Sequence, residues 1–144
     1  MELRPHAEWA AADRATTVNA TPGAFGVTRR AVDLLEVHRE PGARRAGTGL
    51  RERLDELRDA VYARVDAVPP GHPLEPDDAA ARLALRARVG RLAVEATSAL
   101  VVAGAGRSML LTEPAQRLAR EAQFLLVQAQ TAESRAAALE LWAS

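Results

Sequence analysis

Apolar positions three and four residues apart, interrupted by clusters of proline and glycine, divide this chain into helical stretches. Thr21-Pro22 reads as an N-cap followed by proline at the first helical position. The helix it opens, to about His38, places Phe25, Thr28, Val32 and Leu35 on one side. Glu40 to Gly49 (EPGARRAGTG) is rich enough in breakers to predict a loop. Thr48 then caps a second helix with the stripe Leu50, Leu54, Leu57, Val61, Val65 and Val68. Four prolines between Pro69 and Pro76 predict an extended connector. A third helix is expected from near Asp77, its cap, through Val102, where Gly104 to Gly106 stop it. The fourth begins around Thr112 to Pro114 and continues to about Trp142, with Leu118, Ala122, Leu125, Ala129, Ala132, Ala136 and Leu139 as its seam. Residues 1–20 are mixed, with a short helix possible over Pro5 to Arg14, and form a partly ordered N-terminal segment. Residues 21–144 are thus predicted to be all-α, an up-down four-helix bundle.

Composition narrows the picture. A chain of 144 residues is one domain by size, large enough to bury a real core. Only 3% is aromatic, so the core must be built from Leu, Val and Ala. Nineteen basic and nineteen acidic residues cancel, which argues against a nucleic-acid or anionic-membrane partner. Every basic residue is Arg and none is Lys, a bias that codon usage explains more simply than function. Without cysteine there is no disulfide, thiolate catalysis or sulfur-ligated metal. No run of apolar residues reaches the length of a membrane span and the N-terminus has no signal-peptide core, so a soluble, cytoplasmic protein is expected.

The stretch Gly104 to Thr131, GAGRSMLLTEPAQRLAREAQFLLVQAQT, resembles the C-terminal helical domain of acyl-CoA dehydrogenases. In that family a helix enters a glycine turn, a loop with a proline follows, and a last helix opens with an Arg-acidic pair. Ala105-Gly106 stands at the Gly-Gly, Pro114 at the loop proline, and Arg120-Glu121 at the Arg-Asp. Ala24-Phe25-Gly26 with Arg30, Ala31 and Asp33 is similar to the family's A-x-G followed by R-A-x-D. Arg86, Ala87 and Gly90 keep the register of the third helix, and the likeness covers residues 20 to 142. The chain begins near the place where the family's β-domain would end, so the resemblance implies the C-terminal domain made as a separate protein.

The same resemblance implies that the catalytic edge is eroded. The family's proton-abstracting glutamate would stand eight residues past Glu121, where this chain has Ala129. Without a carboxylate there, proton transfer from the substrate has no base. An alternative position in other branches falls on Thr16, with Asp13 and Glu8 the nearest carboxylates upstream. No catalytic residue is therefore assigned. Two elements remain where the family contacts FAD: Arg45, in Arg45-Ala46-Gly47-Thr48-Gly49, with Thr48 at the Phe of an R-x-x-F-G segment, and the turn Gly104, Ala105, Gly106. An arginine fork suits a phosphate, and a glycine turn brings backbone N–H groups close to a ligand, although it also simply ends a helix. Val102, Arg107, Ser108 and Met109 replace the family's Gln, Asn-Gly and Tyr.

The function this implies is non-catalytic: self-association into a homo-oligomer, or docking as partner subunit of a larger flavoprotein. FAD is expected only with such a partner. A component of a split acyl-CoA dehydrogenase or flavin monooxygenase, lending groups to an FAD site in trans, is the alternative. A bundle binding an apolar small molecule between its second and third helices ranks below both. His6, His38 and His72 have no metal spacing, and Glu75, Asp77 and Asp78 suit a helix start better than a metal. Trp9 and Trp142 are read as core packing or interface anchors. Phe124, Val127, Thr131, Ala138 and Leu141 widen the apolar arc of the last helix beyond its seam, which points to a second contact surface.

Overall fold

A computed structural model describes residues 17–69 and 72–144. His6, Glu8, Trp9, Asp13 and Thr16 lie outside the described residues. Among those described there are helices and no strand: α1 (Pro22–Glu36), α2 (Pro41–Asp66), α3 (Pro76–Gly104), a 3-10 turn (Ala105–Met109), α4 (Pro114–Val127) and α5 (Ala132–Ala143). The all-α expectation holds, but with five α-helices rather than four.

Each of the first four helices has proline in its first turn, where the missing N–H leaves no partner unsatisfied. Two expectations fail at these starts. The breaker-rich stretch 40–49 is helix, capped by the Glu40 carboxylate accepting from the Gly42 N–H at 3.1 Å, so Thr48 caps nothing. It is helical because each breaker sits where a helix tolerates it. Pro41 is at the start, and Gly47 lies where α1 crosses so closely that a Cβ would stand 3.0 Å from the Glu36 backbone nitrogen. Similarly Glu75, not Asp77, is the residue before α3, while Asp77 and Asp78 fill its first turn and favour the helix dipole.

The third failure is at the other end of the chain. The predicted last helix is broken over Gln128 to Thr131, where Ala129 takes φ 49° and Thr131 starts α5 with a capping box. Thr131 Oγ1 accepts from the Ser134 N–H at 3.1 Å and Ser134 Oγ accepts from the Thr131 N–H at 2.8 Å. Beyond the break the expected seam disappears: Ala132, Ala136 and Leu139 are exposed, and Ser134 is the buried residue of α5.

Helices α1 to α4 run alternately up and down, and α5 folds back along α3. Helix α3 is central and touches all four others. Within Pro76–Met109 an 18-residue window has a mean hydropathy of 1.3, so by length and composition alone this helix could cross a membrane. Here it faces the other helices, and Val89, Leu92, Ala93, Ala96 and Leu100 are buried against them. Leu35, Val32, Leu50, Leu54, Leu57, Val61 and Leu118 complete a core of Leu, Val and Ala, as the aromatic-poor composition demands. Buried Thr28 and Thr97 satisfy their hydroxyls on the carbonyls of Ala24 and Ala93, one turn back.

Ion pairs tie the helices at their edges. Arg51 of α2 reaches Asp33 and Glu36 of α1, and Arg53 reaches Glu95 of α3 at 2.6 Å. At the base of α3, Arg82 is 5% exposed and donates to Asp78 at 2.6 Å, to Asn19 at 3.0 Å and to the Arg64 carbonyl at 2.6 Å. One guanidinium thus joins the N-terminal segment, the end of α2 and the start of α3. Asp78 also accepts from Arg64 at 2.9 Å. Burial pushes the Asp78 carboxyl up, but the hydrogen bonds from Arg64 and Arg82 outweigh it and hold it below its ordinary value.

Removing Arg82 leaves these acceptors buried without their donor, so Arg82→Met is expected to lower stability by about 2–4 kcal/mol in urea unfolding. Because the folded-state pKa of Asp78 is depressed, its contribution is present above the ordinary carboxylate range and is lost as pH falls through the folded value. Asp78→Asn should therefore be less stable at neutral pH and lose less on acidification. An unchanged acid limb contradicts this assignment.

Candidate functional site

The end of the bundle where α2 begins and α3 stops carries the residues singled out for FAD. The Arg53–Glu95 pair fixes the register of the antiparallel α2 and α3. Arg45 and Gly104 each lie roughly 12–14 Å further along their helices in the same direction. The fold therefore brings Arg45 and the glycine turn to one end at one height. Arg45 is exposed on α2, not in a loop, and makes no hydrogen bond or ion pair with any described residue.

The glycine turn has a clear structural job. A Cβ on Gly104 would overlap the Ser108 hydroxyl, which folds back to donate to the Val101 carbonyl at 2.9 Å. Ser108 is thereby buried and closes the end of α3. Ala105 follows at φ 48°, ψ −138°, a backbone region natural to glycine and strained for alanine, and its N–H bonds the Val102 carbonyl. Gly106 continues into the 3-10 turn. Around them Val37, Val102, Met109, Leu110 and Leu111 are between 54% and 82% exposed, an apolar fringe at the same end. Arg107 pairs with Glu113 at 2.8 Å.

Ala129 is at the opposite end of α4 from the glycine turn, in the α4–α5 break. Its carbonyl and that of Gln128 accept from Arg86 at 3.1 and 2.9 Å, and Arg86 also donates to the Thr17 carbonyl. Among the described residues no carboxylate pairs with Arg86, and burial lowers its pKa. It lines a groove between α3, α4 and α5 together with Gly90, Leu126, Gln130, Ser134 and Trp142. The space there is about 40 Å³, far below the several hundred Å³ of a cofactor pocket. Where Val61 of α2 meets Leu85 of α3 the packing leaves no open space. Among the described residues no group of three His, Asp or Glu converges on a metal position.

Of the remaining motif residues, Asp33 holds Arg51, Ala31 is fully buried, Arg30 is exposed, and Gly90 lets Leu126 of α4 approach within 3.1 Å of its Cβ position. Phe124 and Val127 are 61% and 62% exposed on α4. Trp142 is half-exposed and stacks under Arg91, whose Cζ is 5.4 Å from the ring centroid. Sequence reasoning missed Arg82, Arg86 and Arg91 as organising residues. No spacing rule marks an arginine that donates to another element's backbone.

No family model matches this chain, and neither a curated protein nor a solved structure does.

The turn makes opposite demands on neighbouring residues. Ala105→Gly should stabilise the protein by about 1 kcal/mol by relieving the positive φ. Gly104→Ala should destabilise it by about 1–3 kcal/mol through the overlap with Ser108. Thermal unfolding of both variants checks the pair, and equal effects would show that the turn is not built this way.

Proposed function

We propose that this protein is an acyl-CoA dehydrogenase-like C-terminal domain protein without catalysis of its own, acting in oligomerisation or as the partner subunit of a flavoprotein. The observation that carries the reading is the end of the bundle with Arg45 and the glycine turn. An apolar fringe with a guanidinium that pairs with no described residue is a surface for docking. The positive φ at Ala105 adds support, because the family resembled carries glycine at that position. Ala129, in an exposed break with no carboxyl group, offers no base for α-proton abstraction.

The alternative, a component of a split acyl-CoA dehydrogenase or flavin monooxygenase, is favoured by one geometric point. Arg45 and the glycine turn share an end, so a single FAD bound by a partner subunit can meet both. On that reading Arg45 supplies a fork for the pyrophosphate, and the flavin ring lies in the partner.

Light scattering and visible absorbance of the purified chain test the proposal. It predicts an assembly of more than one chain, or one completed by a co-expressed flavoprotein subunit, with flavin absorbance only in the latter. Leu111→Asp, at a position 82% exposed, should abolish capture of that subunit while helicity is unchanged. A chain that stays monomeric and takes up no flavoprotein overturns the reading. So does one that is yellow and desaturates an acyl thioester alone.

A further inference from the structure

We infer that α5 is an exchangeable arm, seated on α3 of its own chain in the closed form and on α3 of a second copy in an open, dimeric form. The proposal deepens the self-association reading and rests on it.

The segment between α4 and α5 carries two competing instructions. By residue type, Pro114 to Trp142 is one helix: Gln128, Ala129 and Gln130 are all good helix formers, and the apolar spacing runs through them unbroken. The capping box of Thr131 and Ser134 instructs a fresh start at Ala132. The bent form obeys the second instruction and leaves Ala129 at φ 49°, a conformation alanine resists. Four side chains hold the bend. Arg86 donates to the Gln128 and Ala129 carbonyls, Gln130 Nε2 donates to the Leu126 carbonyl at 3.1 Å, and the Thr131 and Ser134 hydroxyls each accept from the other's backbone N–H. In a straight α4–α5 helix the backbone itself would satisfy those carbonyls.

The seat is equally suited to an arm from elsewhere. Helix α5 packs on α3, buries one residue, Ser134, and is pinned at its far end by Arg91 donating to the Leu141 carbonyl at 3.0 Å and stacking on Trp142. Those contacts do not depend on which chain supplies α5. Exchange keeps the α5–α3 interface and removes the hinge strain twice per dimer. Against these gains stand the entropy of association and the loss of the Arg86 and Gln130 bonds to the bend, whose carbonyls a straight helix satisfies through its own backbone. The occupant is fixed by identity: α3 already seats this helix in the closed form, and a second copy carries the same helix.

The chain has no cysteine, so single introduced thiols report cleanly. Ala87 on α3 and Ala138 on α5 line the same groove. Protein carrying Ala87→Cys, mixed with protein carrying Ala138→Cys and incubated through a dilution series, is treated with a short bismaleimide. A linked 87–138 pair between two chains is expected, its yield rising with concentration. Ala129→Gly, which eases the bend, should lower the association constant by about tenfold per hinge, and Ala129→Val, which resists positive φ, should raise it by a similar factor. Light scattering separates the two ways of failing. A dimer with no 87–138 link, or with no response to either hinge variant, overturns exchange and leaves self-association standing. A monomer with no link overturns both.

Discussion

Three guanidinium groups on one helix organise the parts of this protein that its apolar core does not reach. Arg82, Arg86 and Arg91 point from α3 toward carbonyl oxygens of other elements: Arg64 at the end of α2, Thr17 in the N-terminal segment, Gln128 and Ala129 at the α4–α5 break, and Leu141 in α5. Each acceptor lies at a helix end or in a connecting segment, where carbonyls lack intrahelical partners. An arginine fork can serve two such acceptors at once, which a lysine ammonium does less well at fixed geometry. The absence of lysine, unremarkable as composition, coincides here with a structural use for arginine.

This row also explains the shape of the molecule. The apolar stripes of α1, α2 and α4 close on α3 through Leu, Val and Ala, and glycines at 47 and 90 allow close approach at two crossings. Helix α5 has no comparable stripe and stays in place chiefly through polar contacts to α3. The structure therefore has a well-packed body and a lightly attached arm, with Arg86 between them. The end bearing Arg45 is separate from that arm and presents an apolar fringe. The two ends suit two kinds of contact, docking at one and exchange at the other.

Much of the body was legible in the sequence because period and burial agree. Leu50, Leu54, Leu57 and Val61 form the stripe that their spacing predicts, and the prolines from 69 to 76 separate α2 from α3. Residues 40–49 misled because glycine signals both flexibility and close packing. Only the α1 crossing at Gly47 reveals which applies. The break at Ala129 was hidden by good helix formers, while its visible sign, Thr131 with Ser134, is a weaker form of the usual capping pattern. At the candidate site, the co-location of Arg45 with the glycine turn follows from the antiparallel register of α2 and α3, a tertiary fact that no local motif contains.

Backbone hydrogen exchange across wild type, Arg86→Ala and Arg91→Ala tests most directly whether the α3 arginines hold the arm apart from the core. The account predicts that amides of residues 132–143 lose protection in both variants while those of α1 to α3 keep theirs, a local opening below the global unfolding free energy. Protection unchanged in α5, or lost uniformly through all five helices, would contradict it.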